Sequence, residues 1–367
     1  MMAIRTSQLC NAGDFFQYAD SSTQLPQGPL YYFFECLLGT IGLTDFLSIL
    51  TIEIIISQIL IFSSYFIFKN YFNNKKLTYA ILIFSLNPYL IVSSRNLSTH
   101  YHQELFLILF FYFLISQKNK LHYFLLGFIC TLSFSAYHLL SVFLSTLLFF
   151  VFLFKKIQIN KELISGLFVG LLASTLLYLP FIFNNQITGS IFRNTSWGLS
   201  SYWRILLNFL SGKSIVNKVN HVNNFENLIE SFEYFKISLN LTYGLIVFLT
   251  IFAVLKVFSV KDFSLLNIIG IHVFFTFGIL LTVLDVALYP HYYFSMFIFG
   301  YLFILYQINS NTLMNLVLII FIVASSFSYE NFSNYIDQNN GAHLSDYGKS
   351  YNICGCCVED ARTCRGQ

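Results

Sequence analysis

Charged residues are scarce in this chain: Asp, Glu, Lys and Arg together make up 10% of its 367 residues. In soluble domains that share is about a quarter. Hydrophobic residues make up 56% and aromatic residues 19%. Apolar runs of roughly 20 residues, the length that crosses a bilayer, recur along the chain. The composition therefore excludes a soluble domain and predicts an all-α, polytopic membrane protein.

Three other features are weak or missing. The formal net charge of +3 is too small to favour a nucleic-acid partner, and the basic residues do not form one stripe. No signal peptide is visible, because no apolar run follows Arg5. No internal repeat is evident, which argues against a transporter built from repeated halves.

The cysteine spacing carries no strong metal signature. Cys36 and Cys130 stand in apolar segments and are most simply small core residues. A cluster near the C-terminus lacks paired Cys-x-x-Cys spacing and a nearby histidine of the zinc type: Cys354, Cys356, Cys357 and Cys364. The cofactor stays open, with a divalent metal as one option.

The apolar runs predict about ten transmembrane helices after one shorter segment. Segment 29–43 carries Glu35 and is short for a span, so we expect an interfacial helix there. Spans are expected at 46–68, 77–95, 103–117, 121–136, 138–155, 162–184, 241–259, 264–285, 288–306 and 312–328. Residues 1–328 then form a transmembrane domain, and residues 329–367 form a polar extracytoplasmic tail.

Lysines cluster in alternate short loops, which predicts the orientation. These residues are Lys69, Lys75, Lys76, Lys118, Lys120, Lys155, Lys156, Lys161, Lys256 and Lys261. The positive-inside rule places all of them in the cytoplasm if segment 29–43 does not cross the membrane. Residues 185–240 then form a large extracytoplasmic loop. Within it, Trp197, Tyr202 and Trp203 suit the aromatic belt of an interfacial helix.

The same orientation gathers titratable residues on the outer face. The candidates are Asp14, Asp20, Arg95, His100, His102, Glu104, His138, His291 and Tyr292. Such residues are costly at a membrane boundary unless they are paired, solvated or used. These residues also have explanations that involve no function. The two aspartates could belong to a solvated N-terminal arm, Arg95 could be a snorkelling residue at a helix end, and the histidines could be polar residues of the interface. His138 differs, because its apolar neighbours oblige it to find a partner or a polar cavity.

A carboxylate beside an arginine on the outer face suits the transfer of a sugar from a polyprenyl phosphate to a hydroxyl. Asp14 would act as the general base on the acceptor. Arg95 would bind the donor phosphate and stabilise its charge as it leaves. Cytoplasmic nucleotide sugars cannot reach an external site, so the donor has to be carried by the membrane.

Several short motifs resemble those of family 39 integral-membrane glycosyltransferases of the GT-C fold, relatives of protein mannosyltransferases and lipid A aminoarabinose transferases. The matching residues are Asp14-Phe15, Gly28-Pro29-Leu30-Tyr31-Tyr32, Asn87-Pro88, Ser94-Arg95, Tyr137-His138, Tyr178 to Pro180, His291-Tyr292 and Asp346-Tyr347-Gly348. The resemblance implies an essential acid at Asp14, with Tyr32 close to the site. It also implies a polyprenyl-phosphate sugar donor and a glycan, lipid or protein acceptor. The expected location is the bacterial cytoplasmic (inner) membrane, with the active site on the extracytoplasmic side.

Members of that family begin with a membrane helix before the acidic loop. Here only thirteen residues precede Asp14, so we expect an N-terminally truncated relative. Two other functions fit the same pattern. A surface-polysaccharide polymerase of the O-antigen type would share the spans and the external loop, and a transporter or flippase would use the polar residues as a pathway.

Overall fold

The computed structural model describes residues 29–44, 46–88, 100–116, 119–183, 198–213, 233–284 and 297–338. Within these ranges the regular structure is helical throughout, without a strand. The helices are α1 (Pro29–Thr40), α2 (Phe46–Phe68), α3 (Asn74–Ser85), α4 (His100–Ile115), α5 (Lys120–Leu132), α6 (His138–Leu153), α7 (Lys161–Phe183), α8 (Leu199–Leu210), α9 (Glu233–Val260), α10 (Leu265–Ile271), α11 (Phe277–Val283), α12 (Phe297–Gln307) and α13 (Asn311–Gln338). A 3-10 turn (Ser133–Ser135) follows α5, and a π-helical turn (His272–Thr276) joins α10 to α11.

The described chain contains five helical stretches that are long and apolar enough to cross a membrane. They are Thr51–Phe68, Lys161–Leu179, Lys236–Val260, Leu265–Val283 and Asn311–Glu330. Their outer faces are apolar as well: Phe62 and Phe66 of α2 are 63% and 62% exposed. Lipid tolerates such a surface, whereas water does not. The chain is therefore a helical membrane protein, as its composition predicted.

Three helices depart clearly from the expected bounds. Helix α9 begins at Glu233, before the expected start at residue 241 and inside the predicted loop 185–240. Helix α8 lies inside the predicted loop 185–240, and Tyr202 on it is only 2% exposed. The prediction that Tyr202 belongs to an aromatic belt is therefore wrong, because its ring packs inside the protein. Helix α13 continues to Gln338, past the expected end at residue 328.

The described helices divide into two compact units. The first unit contains α1, α2 and α4 to α7, and the second contains α3 and α8 to α13.

In the first unit, α5 and α7 pack closely because glycines face backbone. A Cβ atom on Gly166 would lie 2.0 Å from the carbonyl oxygen of Phe124, and one on Gly170 would lie 2.4 Å from that of Phe128. Paired residue numbers rise together along both helices, so the helices run parallel. The Gly-x-x-x-Gly spacing allows the close approach that favours packing between membrane helices.

In the second unit, two buried side chains bind the carbonyl groups at the end of α8. The Asn87 amide donates to the carbonyl oxygen of Phe209 at 2.8 Å and to the Tyr301 hydroxyl at 2.7 Å. The Tyr301 hydroxyl donates to the carbonyl oxygen of Leu210. Carbonyl groups at a helix C-terminus have no hydrogen-bond donor within the helix. These bonds therefore satisfy carbonyl oxygens that would otherwise be buried without a hydrogen bond.

The lysine-bearing helix ends lie together within each unit. In the first unit, Lys120 at the start of α5 is 4.0 Å from Glu162 at the start of α7. In the second unit, Lys76 near the start of α3 and Lys256 near the end of α9 both donate to carbonyl oxygens at the end of α12. Within each unit, lysine-bearing loops that are far apart in the sequence therefore lie close together. The lysine pattern had assigned these loops to the same side of the membrane.

Candidate functional site

Most residues predicted to carry the chemistry lie outside the described part of the chain. These are Asp14, Asp20, Arg95, His291 and Tyr292. His100 and His102 lie in the first turn of α4, but their side chains are also outside the described part. Their roles stay predictions. Tyr32 and His138 are described, and both belong to the first unit.

Tyr32 lies near the start of α1 and is buried, with 4% of its surface exposed. Glu35 follows three residues later and is fully buried. Residues three apart on a helix are neighbours on its surface. Helix α1, which contacts α7, therefore brings a phenol and a carboxyl group into the interior of the first unit.

His138 has the partner that its apolar surroundings require. Its Nε2 atom lies 2.7 Å from the hydroxyl oxygen of Tyr178, near the end of α7. The same hydroxyl donates to the carbonyl oxygen of Phe134 at 3.2 Å, and the Phe134 ring meets the imidazole edge-on with a centroid distance of 4.6 Å. These contacts fix the ring at the start of α6 and leave Nδ1 as the nitrogen that can meet a substrate.

A second polar group of the first unit joins α2 to α4. The hydroxyl of Ser57 donates a 3.0 Å hydrogen bond to Oε2 of Glu104, a residue that is 5% exposed. The other carboxylate oxygen of Glu104, Oε1, accepts no hydrogen bond from the residues that the structure describes. Glu53, also 5% exposed, lies one turn before Ser57 on the same face of α2.

The Glu104 carboxyl group can therefore accept a further hydrogen bond, from a substrate hydroxyl or from a cationic group. Glu104 was expected in the external cluster, whereas Ser57 was missed. The sequence did carry a signal for it: Glu53 and Ser57 are four residues apart with three isoleucines between them, which places two polar groups on one helical face.

The described residues contain no group of three or more His, Cys, Asp or Glu side chains that could hold a metal ion. Cys130 is free and buried, as expected of a small core residue. Cys36 is buried in the core as expected, and it is also disulfide-bonded, which the sequence did not predict. The cysteines near the C-terminus lie outside the described residues.

No family model, curated protein or solved structure matches this chain. Kinship with family 39 glycosyltransferases stays a prediction from short motifs.

Proposed function

We propose that this chain is a membrane glycosyltransferase that moves a sugar from a polyprenyl-phosphate-linked donor to an extracytoplasmic glycan, lipid or protein acceptor. The observation that carries the proposal is the buried carboxyl group of Glu104, on the helix that follows Arg95. An ionisable group inside a membrane protein is costly, and it usually serves a substrate or an ion. Together with the motif resemblance, this acid favours sugar transfer.

In the proposed reaction the acceptor hydroxyl attacks the anomeric carbon of the donor sugar. Asp14 takes the hydroxyl proton, the bond between the anomeric carbon and the phosphate oxygen breaks, and the polyprenyl phosphate leaves with the electron pair. Arg95 stabilises the negative charge that develops on that phosphate. Glu104 accepts a hydrogen bond from a sugar hydroxyl through Oε1 and so positions the donor.

Helix directions support an external site. Helices α5 and α7 both begin at the lysine-bearing end of the first unit, where Lys120 faces Glu162. His138 and Tyr178 meet at the other end, where α6 begins and α7 closes. If the lysines are cytoplasmic, these two residues face the extracytoplasmic side. We include in this proposal that the chain has a GT-C fold with about ten transmembrane helices and lies in a bacterial inner membrane.

The test is transfer from a radiolabelled polyprenyl-phosphate sugar by membranes that contain the chain, with release of polyprenyl phosphate as the readout. Loss of a general base typically lowers the rate by about 10²- to 10⁴-fold, which is the loss expected for Asp14→Asn. Arg95→Ala should weaken donor use more than acceptor use. Glu104→Gln should raise the donor concentration needed for half-maximal rate.

Glu330→Gln is the matched control for Glu104→Gln, because it makes the same change at an exposed position. Full activity of Asp14→Asn would contradict the role of Asp14 as the general base. Equal effects of Glu104→Gln and Glu330→Gln would contradict a role of Glu104 in donor binding. Absence of transfer by a correctly folded protein would reject the proposal. Transfer of preassembled repeat units instead of single sugars would identify a polymerase.

A transporter is the second candidate, because three carboxyl groups of the first unit are buried on three different helices. They are Glu35 on α1, Glu53 on α2 and Glu104 on α4. Buried acids of this kind carry protons or ions in many transporters. Uptake into proteoliposomes that is lost in Glu53→Gln, without any sugar transfer, would favour this reading.

A further inference from the structure

We propose that the second unit binds the phosphate group of an anionic phospholipid between the side chains of Lys76 and Lys256. This site is separate from the proposed transfer reaction and does not depend on it. It lies where the start of α3, the end of α9 and the end of α12 come together.

A pocket of about 340 Å³ occupies this position. Its lining includes Lys76, Lys256, Val257, Val260, Asp262 and Tyr306. The pocket combines two ammonium groups with the apolar side chains of two valines. A phospholipid has the same combination, because a charged phosphate joins apolar chains.

The two ammonium groups are held in place by α12. Lys76 Nζ donates to the carbonyl oxygen of Tyr306 at 2.6 Å, and Lys256 Nζ donates to that of Gln307 at 2.7 Å. The ammonium of Lys76 also lies 4.9 Å from the centre of the Tyr306 ring. An ammonium has three N–H donors, and no further hydrogen bond joins either of these groups to the described residues. Each lysine is thus fixed by one bond and keeps donors for an anion.

Asp262 is the acid of the pocket, and its own loop engages both oxygen atoms. Oδ1 accepts the backbone N–H of Ser264 at 3.0 Å, and Oδ2 accepts the side-chain amide of Asn267 at 2.9 Å. Among the described residues, the carboxylate forms no ion pair with either lysine. Two lysines and one aspartate leave a net positive charge, which suits the single negative charge of a phosphodiester.

The surroundings favour a lipid over free phosphate. Val260 lines the pocket and is 66% exposed, and the nearby Leu255 and Phe258 of α9 are 62% and 52% exposed. This apolar surface gives acyl chains a place to lie once the phosphate is bound. The lysine-bearing end is the predicted cytoplasmic end, and basic pockets between helices on that side bind anionic lipid head groups.

The experiment compares lipids retained by the purified full chain, by native mass spectrometry after exchange into mixed micelles that hold equal amounts of phosphatidylglycerol and phosphatidylcholine. Wild type should retain phosphatidylglycerol preferentially. Each basic residue near a membrane surface contributes roughly a fivefold preference, so Lys76→Gln and Lys256→Gln should each lower the preference about fivefold. Lys75→Gln is the matched control, because Lys75 is the exposed neighbour of Lys76 and does not line the pocket.

Inorganic phosphate, added in a separate series, distinguishes the two sources of the anion. Phosphate that binds in a lysine-dependent way, without preference for phosphatidylglycerol, would overturn the lipid proposal. Equal retention of the two lipids by wild type would also overturn it, and this arm needs no variant. Because both lysines contact the end of α12, Lys76→Arg serves as a charge-retaining variant. Loss of the preference in Lys76→Arg as complete as in Lys76→Gln would show that packing, not charge, is responsible.

Discussion

The hydroxyl group of Tyr178 connects the imidazole of His138 to the backbone of Phe134. Its oxygen lies 2.7 Å from Nε2 of His138 and 3.2 Å from the carbonyl oxygen of Phe134. One side chain of α7 therefore fixes both the start of α6 and the turn that precedes it. This bond engages Nε2 of His138, and the other ring nitrogen, Nδ1, has no hydrogen bond to the described residues.

Tyr178→Phe should lower the free energy of unfolding by about 1 kcal/mol, because it removes the hydrogen bonds of a ring nitrogen and a carbonyl oxygen that are both partly buried. Thermal unfolding in detergent micelles measures the effect. In a double-mutant cycle, Tyr178→Phe combined with His138→Leu should cost less than the sum of the two single changes. Tyr329→Phe, at a position that is 66% exposed, is the control and should have little effect. Additive costs would show that the two side chains are not coupled.

Gly166→Ala should destabilise the first unit, because the new Cβ would lie 2.0 Å from the carbonyl oxygen of Phe124 and neither helix backbone can yield cheaply. Overpacking of this kind typically costs about 1 to 3 kcal/mol. The measurement is the unfolding temperature in detergent.

Gly244→Ala is the matched control, because nothing lies within 4 Å of a Cβ built at that position. Alanine favours a helix over glycine by about 1 kcal/mol, so this change should stabilise the protein slightly. Similar effects of the two substitutions would contradict the close packing of α5 against α7.

The positions of the helices could be predicted, because each long apolar run has to be helical in lipid. The expected span 46–68 coincides with α2, and the expected span 162–184 lies within one residue of α7 at either end. The burial of Tyr202 was not predicted. Its local sequence is that of an interfacial helix, but the ring packs against Gly278 and Phe277. Its hydroxyl donates to the carbonyl oxygen of Val273 in the π-helical turn.

The candidate site shows the same limit. The polar character of Glu104 was evident from the sequence, but its partner Ser57 lies 47 residues earlier in the chain. A pairing over that distance depends on how α2 and α4 pack, which no local pattern encodes. The same limit applies to the lysines. The positions of their loops predicted which side of the membrane they face, but not that Lys76 and Lys256 would both contact the end of α12.

Asn87→Ala should destabilise the second unit by about 1 to 3 kcal/mol, because the carbonyl oxygen of Phe209 loses its 2.8 Å hydrogen bond in a fully buried setting. Asn240→Ala removes an exposed amide that accepts from Lys213, and it should have little effect. Unfolding in detergent compares the two variants. Equal unfolding temperatures would mean that the end of α8 does not need the Asn87 amide.

Retention of phosphatidylglycerol should weaken at alkaline pH sooner than exposed lysines would predict. Burial, and after it the positive charge of Lys256, holds the pKa of Lys76 below its usual range. The Asp262 carboxylate also lines this pocket, and the pKa of Lys76 is lowered in its presence. As the pH rises through the lowered pKa, Lys76 loses its proton and its charge, and a phosphodiester then meets one ammonium instead of two. Native mass spectrometry across an alkaline pH series measures the change. Lys76→Arg should keep its charge throughout and hold retention constant over that range, and a decline of the same size in both proteins would exclude Lys76 as the titrating group.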